Sequence, residues 1–460
     1  MKSANARRIE QYLLAVCLIV QAALLFWRLD LLPIWGDEQF TLNTALQPIA
    51  KIPSILRSDI HPPLYYFFIH YWLELPWSAA LIVKARAFSG VWALATTILF
   101  SRLPDGRWRF LLLWTFSPCL ILYARMARSY TLQLFLGVLV LYWGIAVLRE
   151  PRRRGALTMY AVTGALLFYT HYLAALATVG SVQLWLLYRL IRKRDTWFAA
   201  TIPLAVMLLL YTPWLMTIGS TVERVLRAGP YTVTSNPFLE QAIRLVYLGV
   251  SFTIGETAPV WIIAAAAILV GWTSRSAAGP PAGFCTPVIL AAALIGYLGA
   301  TRWVSFAFIP ARLLFLLPFY LNLFTKRAWT AVALACLSGI SLFSYYRQDN
   351  FLNKGYLLPF DQIADIIQQR SGGRPAQLIV EAPGLDVSPL TRRLNIGAGQ
   401  RPEIIWILSN RDQRTPPPGT REVRHREFVP YSDLDRTAMR LLQWTTQPTH
   451  VLQLTEYRAE

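Results

Sequence analysis

Five short segments of this chain carry the residue types that acid–base and phosphate chemistry need. WGDEQF (35–40) sets two carboxylates, Asp37 and Glu38, side by side among aromatic residues. A carboxylate there can serve as general base toward a hydroxyl or amine, and the pair can coordinate a divalent cation. The plainer alternative is a solvated helix start with Asp37 as N-cap. DIHPPLYY (59–66) places His61 before two prolines, which restrict the backbone ahead of them. His61 is then either a hydrogen-bond partner for phosphate or sugar, or part of a rigid loop. YARMARSY (123–130) spaces Arg125 and Arg128 three apart, just before Tyr130. On a helix the two arginines share a face. They suit a phosphate held bidentately, or they snorkel to lipid headgroups. THY (170–172) adds His171, and RWVSFAFIPAR (302–312) adds Arg302 and Arg312. Asp30, Asp59, Arg224, Arg227, Arg244, Glu223, Glu240 and Glu256 are further charged residues outside or at the edges of the apolar runs. No HExxH, P-loop or G-x-S-x-G pattern occurs.

The elements that must position these residues are membrane spans. The chain is 55% hydrophobic and only 15% charged, well under the roughly 25% charged residues of soluble domains. Apolar runs of spanning length recur through its first three quarters. The net charge of +19 would suit a nucleic-acid partner, but its distribution excludes that reading. Residues 1–348 hold 12 of the 25 acids and 30 of the 44 basic residues, while the remainder is near neutral. The basic excess sits in short loops such as REPRRR (149–154) and RLIRKRD (189–195), as the positive-inside rule predicts. The four cysteines lie in or beside apolar runs with no close pairing, which excludes a disulfide frame or cysteine metal site.

Placing every basic cluster on one side gives about eleven spans, a cytoplasmic N-terminus and an extracytoplasmic tail. The run Gln11 to Trp27 reads as a retained first span. LYYFFIHYWLEL (64–75) is too short to cross and reads as an interfacial helix. A first outer loop then covers about 28–83, and a long outer loop runs from Pro213 to about Thr257. The expected fold is an all-α polytopic membrane domain over 1–347, followed by a small α/β domain over 348–460. In the tail, 361–370 and 433–444 read as helices, and 376–382, 402–409 and 450–457 as strands. PPPG (416–419) reads as a loop.

The ordered set of an acidic pair after the first span, HPPLYYFFIHYW, KARAFSGVWAL, ARMARSYTLQLF, YTHY, YTPWL and PARLLFLLPFYLNL resembles the family 39 glycosyltransferases. That family includes protein O-mannosyltransferases and lipid A aminoarabinose transferases. The resemblance implies the GT-C architecture, with a site at the outer surface of a bacterial inner membrane. It implies a polyprenyl-phosphate sugar donor, a lipid, glycan or protein acceptor, and transfer with inversion. By residue, it implies Asp37 as catalytic base, with Glu38 beside it and His61 as the histidine of the HPP element. Arg125, Arg128 and, more loosely, Arg312 would lie near the donor phosphate; Tyr130, and His171 at another outer mouth, are further candidates for substrate binding. No cofactor is implied beyond the divalent cation already considered. The further acid of the protein mannosyltransferases has no counterpart in YARMARSY, and their large inserted outer domain is absent. A transporter or flippase for lipid-linked sugars is one alternative, although its ionisable residues would sit mid-membrane. A polysaccharide ligase or polymerase and a non-catalytic scaffold are the others.

Overall fold

The computed structural model describes residues 4–58, 61–100, 107–192, 197–228, 237–275, 309–382, 387–394, 402–410, 416–430, 432 and 450–459. The chain falls into two compact units. The larger comprises 1–29, 41–231 and 241–350; the smaller comprises 30–40, 232–240 and 351–460.

The larger unit is helical. Its helices in chain order are α1 (Ala4–Phe26), α2 (Gly36–Ala45, beginning in the smaller unit), α3 (Ile52–Arg57), α4 (Leu64–Leu73) and α5 (Leu81–Phe100). They continue with α6 (Arg107–Thr115), α7 (Pro118–Ala124), α8 (Tyr130–Arg149), α9 (Arg154–Phe168) and α10 (Tyr172–Arg192). Next come α11 (Trp197–Ala228), α12 (Pro237–Ile254, also beginning in the smaller unit) and α13 (Val260–Arg275). The last long helix is Ala328–Arg347. Among the described residues five segments are long and apolar enough to cross a membrane: Leu81–Phe100, Tyr130–Arg149, Tyr172–Arg192, Trp197–Gly219 and Ala328–Arg347.

These five are fewer than the eleven or so spans expected. The third apolar run breaks in two because Ser117 caps a new helix, its Oγ accepting from Leu120 N at 3.3 Å, with Pro118 in the first turn. The run after Pro310 breaks into 3-10 turns around a short α-helix, Leu317–Asn322. The ninth expected span falls within 276–308, outside the described residues. The long loop expected from Pro213 is helical instead: α11 continues through Pro213 to Ala228, and α12 follows. Pro213 removes one backbone donor, from the Leu209 carbonyl. The leucine-rich turns before it and the residues after it keep the helix going. The 64–75 segment is the ten-residue helix α4, too short to cross.

Side-chain contacts give the relative direction of these helices. Arg86 donates to Leu29 O at 2.7 Å and Thr97 to Gln21 Oε1 at 2.6 Å, so α1 and α5 are antiparallel. Thr131 donates to Ser89 O at 2.7 Å and Trp92 meets Phe135 at 5.0 Å, so α5 and α8 run parallel. α8 and α10 also run parallel and close. A Cβ at Gly144 would stand 2.6 Å from Val182 Cγ2, while one at Gly137 would lie 3.9 Å from Thr178. Glycine permits that approach. α9 returns antiparallel to α10, with Tyr160 donating to Val179 O at 3.3 Å. At one end of the unit Leu64 N bonds Tyr169 O at 3.0 Å. The other end holds Arg149, Arg189 and Arg192, some 30 Å along helices of this length.

The smaller unit contains a four-stranded sheet of order β1-β2-β4-β3: β1 (Ala376–Glu381), β2 (Ile404–Ser409), β3 (Thr420–Pro430) and β4 (His450–Ala459). β1 and β2 pair parallel and the other pairs are antiparallel. The amphipathic helix Phe360–Ser371 packs Ile363 and Ile367 with Ile404, Trp406 and Leu454 in one core. Strand β3 was not expected. The helix expected over 433–444 lies outside the described residues.

Candidate anion site

Helix α7 ends at Ala124, and residues 125–129 turn before α8 begins. Arg125 and Arg128 therefore share no helical face, and this corrects their expected pairing. Arg125 is 3% exposed. Its Nη1 donates to Leu24 O and Leu25 O at 3.0 Å and to Trp27 O at 2.7 Å, its Nη2 to Arg28 O at 2.5 Å, and its Nε to the Tyr345 hydroxyl at 3.0 Å. The Tyr345 and Tyr346 rings flank it at 5.4 and 5.2 Å. Its guanidinium caps the C-terminus of α1, where orphan carbonyls and the helix dipole favour a cation. Each of its guanidinium nitrogens thus has an acceptor within the protein.

Arg128 turns elsewhere. It is 5% exposed. Its Nη2 lies 2.7 Å from His61 Nε2, and its Nη1 donates to Thr41 Oγ1 at 3.3 Å and, at 3.5 Å, to the Tyr66 hydroxyl. A guanidinium only donates, so His61 accepts through Nε2. The Arg128 carbonyl accepts from Ser89 Oγ at 3.2 Å, which fixes the turn against α5. Tyr130, at the start of α8, lies under Arg128 with its ring centroid 6.0 Å from Cζ.

His171 occupies the turn between α9 and α10. Its Nδ1 accepts from Ala174 N at 3.3 Å, the bond of an N-cap. Burial, then the charge of Arg312, then His61 and Arg128, push its pKa down to about 3. At neutral pH it is an uncharged imidazole with its proton on Nε2. Arg312 lies in the 3-10 turn Pro310–Leu316, set against α8 by Gln133 donating to Ala311 O at 2.7 Å. Four segments far apart in sequence thus bring Arg128, Arg312, His61 and His171 together. Two guanidiniums with imidazole donors form an arrangement suited to a phosphate.

Asp37 and Glu38 lie in the first turn of α2, Glu38 fully buried and Asp37 partly so. Among the described residues no three His, Cys, Asp or Glu side chains gather as a metal site. A divalent cation on Asp37 and Glu38 would take its remaining ligands from water or substrate. Asp59 and Arg302, with the side chains of Arg224, Arg227 and Glu240, lie outside the described residues.

Sequence reasoning underrated Glu256. It sits in the turn between α12 and α13, 1% exposed. It accepts from the Tyr123 and Tyr247 hydroxyls, and from Ser251 Oγ at 3.0 Å. Burial raises its pKa, and these three hydroxyls pull it back. The available signal was a lone acid in SFTIGETAP between two apolar runs. Compared with known proteins, the chain matches no family model and no curated protein.

Proposed function

We propose that this protein is a GT-C-type membrane glycosyltransferase. It takes a sugar from a polyprenyl-phosphate donor and passes it, with inversion, to an envelope lipid, glycan or protein. The observation that carries this reading is the convergence of Arg128, Arg312, His61 and His171 at one end of a helical unit with membrane-spanning helices. A lipid whose chain lies in the bilayer presents its phosphate at such an end. On this reading the end faces the outside of a bacterial inner membrane, with the arginine-rich helix ends inside.

The acceptor hydroxyl or amine attacks the anomeric carbon, and its proton passes to the Asp37 carboxylate. The bond between the anomeric carbon and the phosphate oxygen breaks, and the lipid phosphate leaves with the electron pair. Arg128 and Arg312 stabilise that developing charge, and His171 supplies an uncharged donor. Arg125 acts by holding the turn that carries Arg128.

The test is transfer from short-chain polyprenyl-phosphate hexoses and pentoses by purified protein in liposomes. Asp37→Asn should lower kcat by about 10²–10⁴, and Arg128→Ala should raise KM for the donor. Full transfer by the Asp37→Asn protein removes the base assignment. Mass spectrometry of envelope glycolipids and glycoproteins from wild-type and Asp37→Asn cells would identify sugar and acceptor through the missing mass increment.

A further inference from the structure

We infer that Glu256 is a positioning residue for Arg128, acting through Tyr123 and Tyr130; this rests on the reading of Arg128 as part of an anion site. A buried carboxylate is costly unless hydrogen-bonded, and Glu256 has three hydroxyl donors drawn from two different helices. Tyr123 comes from α7, and Tyr247 and Ser251 from α12. Packing alone would be served as well by apolar residues of similar volume. What the carboxylate adds is a fixed place for the Tyr123 hydroxyl.

Tyr123 and Tyr130 bracket the turn that bears Arg128. The edge of one ring meets the face of the other, with centroids 5.7 Å apart and planes at 82°. Arg128 lies over the second ring. The backbone beside Glu256 seats the opposite end of α7. Gly255 has a φ of +80°, and a Cβ there would stand 2.4 Å from Pro118 Cβ. Thr257 Oγ1 donates to Ser341 O at 2.9 Å and ties the same turn to the Ala328–Arg347 helix. The Glu256 turn thus touches α7 at Pro118 and at Tyr123. Arg125 clamps the residue after α7 to α1. These attachments fix the start of the 125–129 turn, and Ser89 Oγ holds its far side through the Arg128 carbonyl.

The experiment uses the full chain in nanodiscs, with farnesyl phosphate as calorimetric probe and 3-fluorotyrosine placed at position 130 for ¹⁹F NMR. Glu256→Gln keeps the side-chain size but exchanges one carboxylate acceptor for an amide donor, which breaks the three-hydroxyl arrangement; Tyr123→Phe removes the Tyr123 bond itself. Each should weaken farnesyl phosphate binding by about tenfold, the size of an ordinary coupling between contacting residues. Neither should add to the loss caused by Arg128→Ala. The Tyr130 resonance should move in all three variants. Unchanged affinity in Glu256→Gln, or losses that add fully to that of Arg128→Ala, would overturn the proposal. If the wild-type protein does not bind farnesyl phosphate, the anion reading fails. The ¹⁹F signal then decides the positioning role alone: a shift in Glu256→Gln and Tyr123→Phe supports it, and an unmoved resonance sinks it.

Discussion

In the helical unit, the buried Arg125 guanidinium is surrounded by uncharged partners: four backbone carbonyls, a hydroxyl and two tyrosine rings. In the tail unit, the buried Glu456 carboxylate lies between two cations. Arg370 Nε donates to it at 2.7 Å and Arg458 Nε at 2.8 Å. The first arrangement gives each guanidinium nitrogen an uncharged acceptor; the second sets opposite charges in contact. Neutral partners also keep no proton in play, whereas the carboxylate titrates. Burial alone would raise the Glu456 pKa, but its two arginines bring it below the usual value. The difference teaches that a buried charge can be accommodated by backbone dipoles in one region and by counter-ions in another, with opposite consequences for acid.

The contrast is broken most sharply at Arg125. Arg125→Ala removes the guanidinium donors to the Leu25, Trp27 and Arg28 carbonyls, while Leu24 O keeps the Tyr346 hydroxyl; loss of a buried partner costs about 1–3 kcal/mol. The expected total is about 3 kcal/mol or more, read as a lower unfolding temperature in detergent. Arg125→Lys should recover little, because an ammonium lacks the planar fork. A lysine variant as stable as wild type would show that charge alone is needed there.

Glu456→Gln comes next, with an expected loss of about 1–3 kcal/mol at neutral pH. Its native pKa is depressed, so its contribution is present above the unfolded carboxylate value and is lost as pH falls through the native one. Wild type and variant should therefore converge in acid. A constant gap across pH would mean that the arginines contribute packing and not charge.

At neutral pH the effect at His171 is the smallest, because it emerges only in acid. Its native pKa of about 3 lies below the unfolded value of about 6.5. Stability is full above the unfolded value and declines as pH falls toward the native one, because the unfolded chain binds the proton first. His171→Gln should flatten the unfolding-temperature profile between those values. An unchanged profile would reverse the assignment of a neutral imidazole.

Strands 376–382, 402–409 and 450–457 were legible because their apolar β-branched runs are bounded by polar or turn residues. β3 was not, since TREVRHREFVP lies at the sheet edge with most side chains in solvent, and it carries no apolar alternation. The short α4 was legible from length alone. The break before α7 could have been read from Ser117–Pro118, a capping pair, but continuous hydrophobicity concealed it. Among the candidate site residues, the segments carrying Arg128, His61, His171 and Arg312 stood out by residue type. The diversion of Arg125 to the α1 carbonyls did not, because backbone partners leave no mark in side-chain spacing. The Glu256 network was hidden for a related reason: tyrosine and serine donors are too common in apolar helices to single out.

The charged edge strand bears on how copies of this protein behave when crowded. Exposed Arg421, Arg424 and Arg426 are interspersed with Glu422 and Glu427 on this strand, which lies at one edge of the sheet among the described residues. Two such strands stacked in parallel register would set every charge against its own copy. Like-charge repulsion thereby opposes self-templated stacking along this edge.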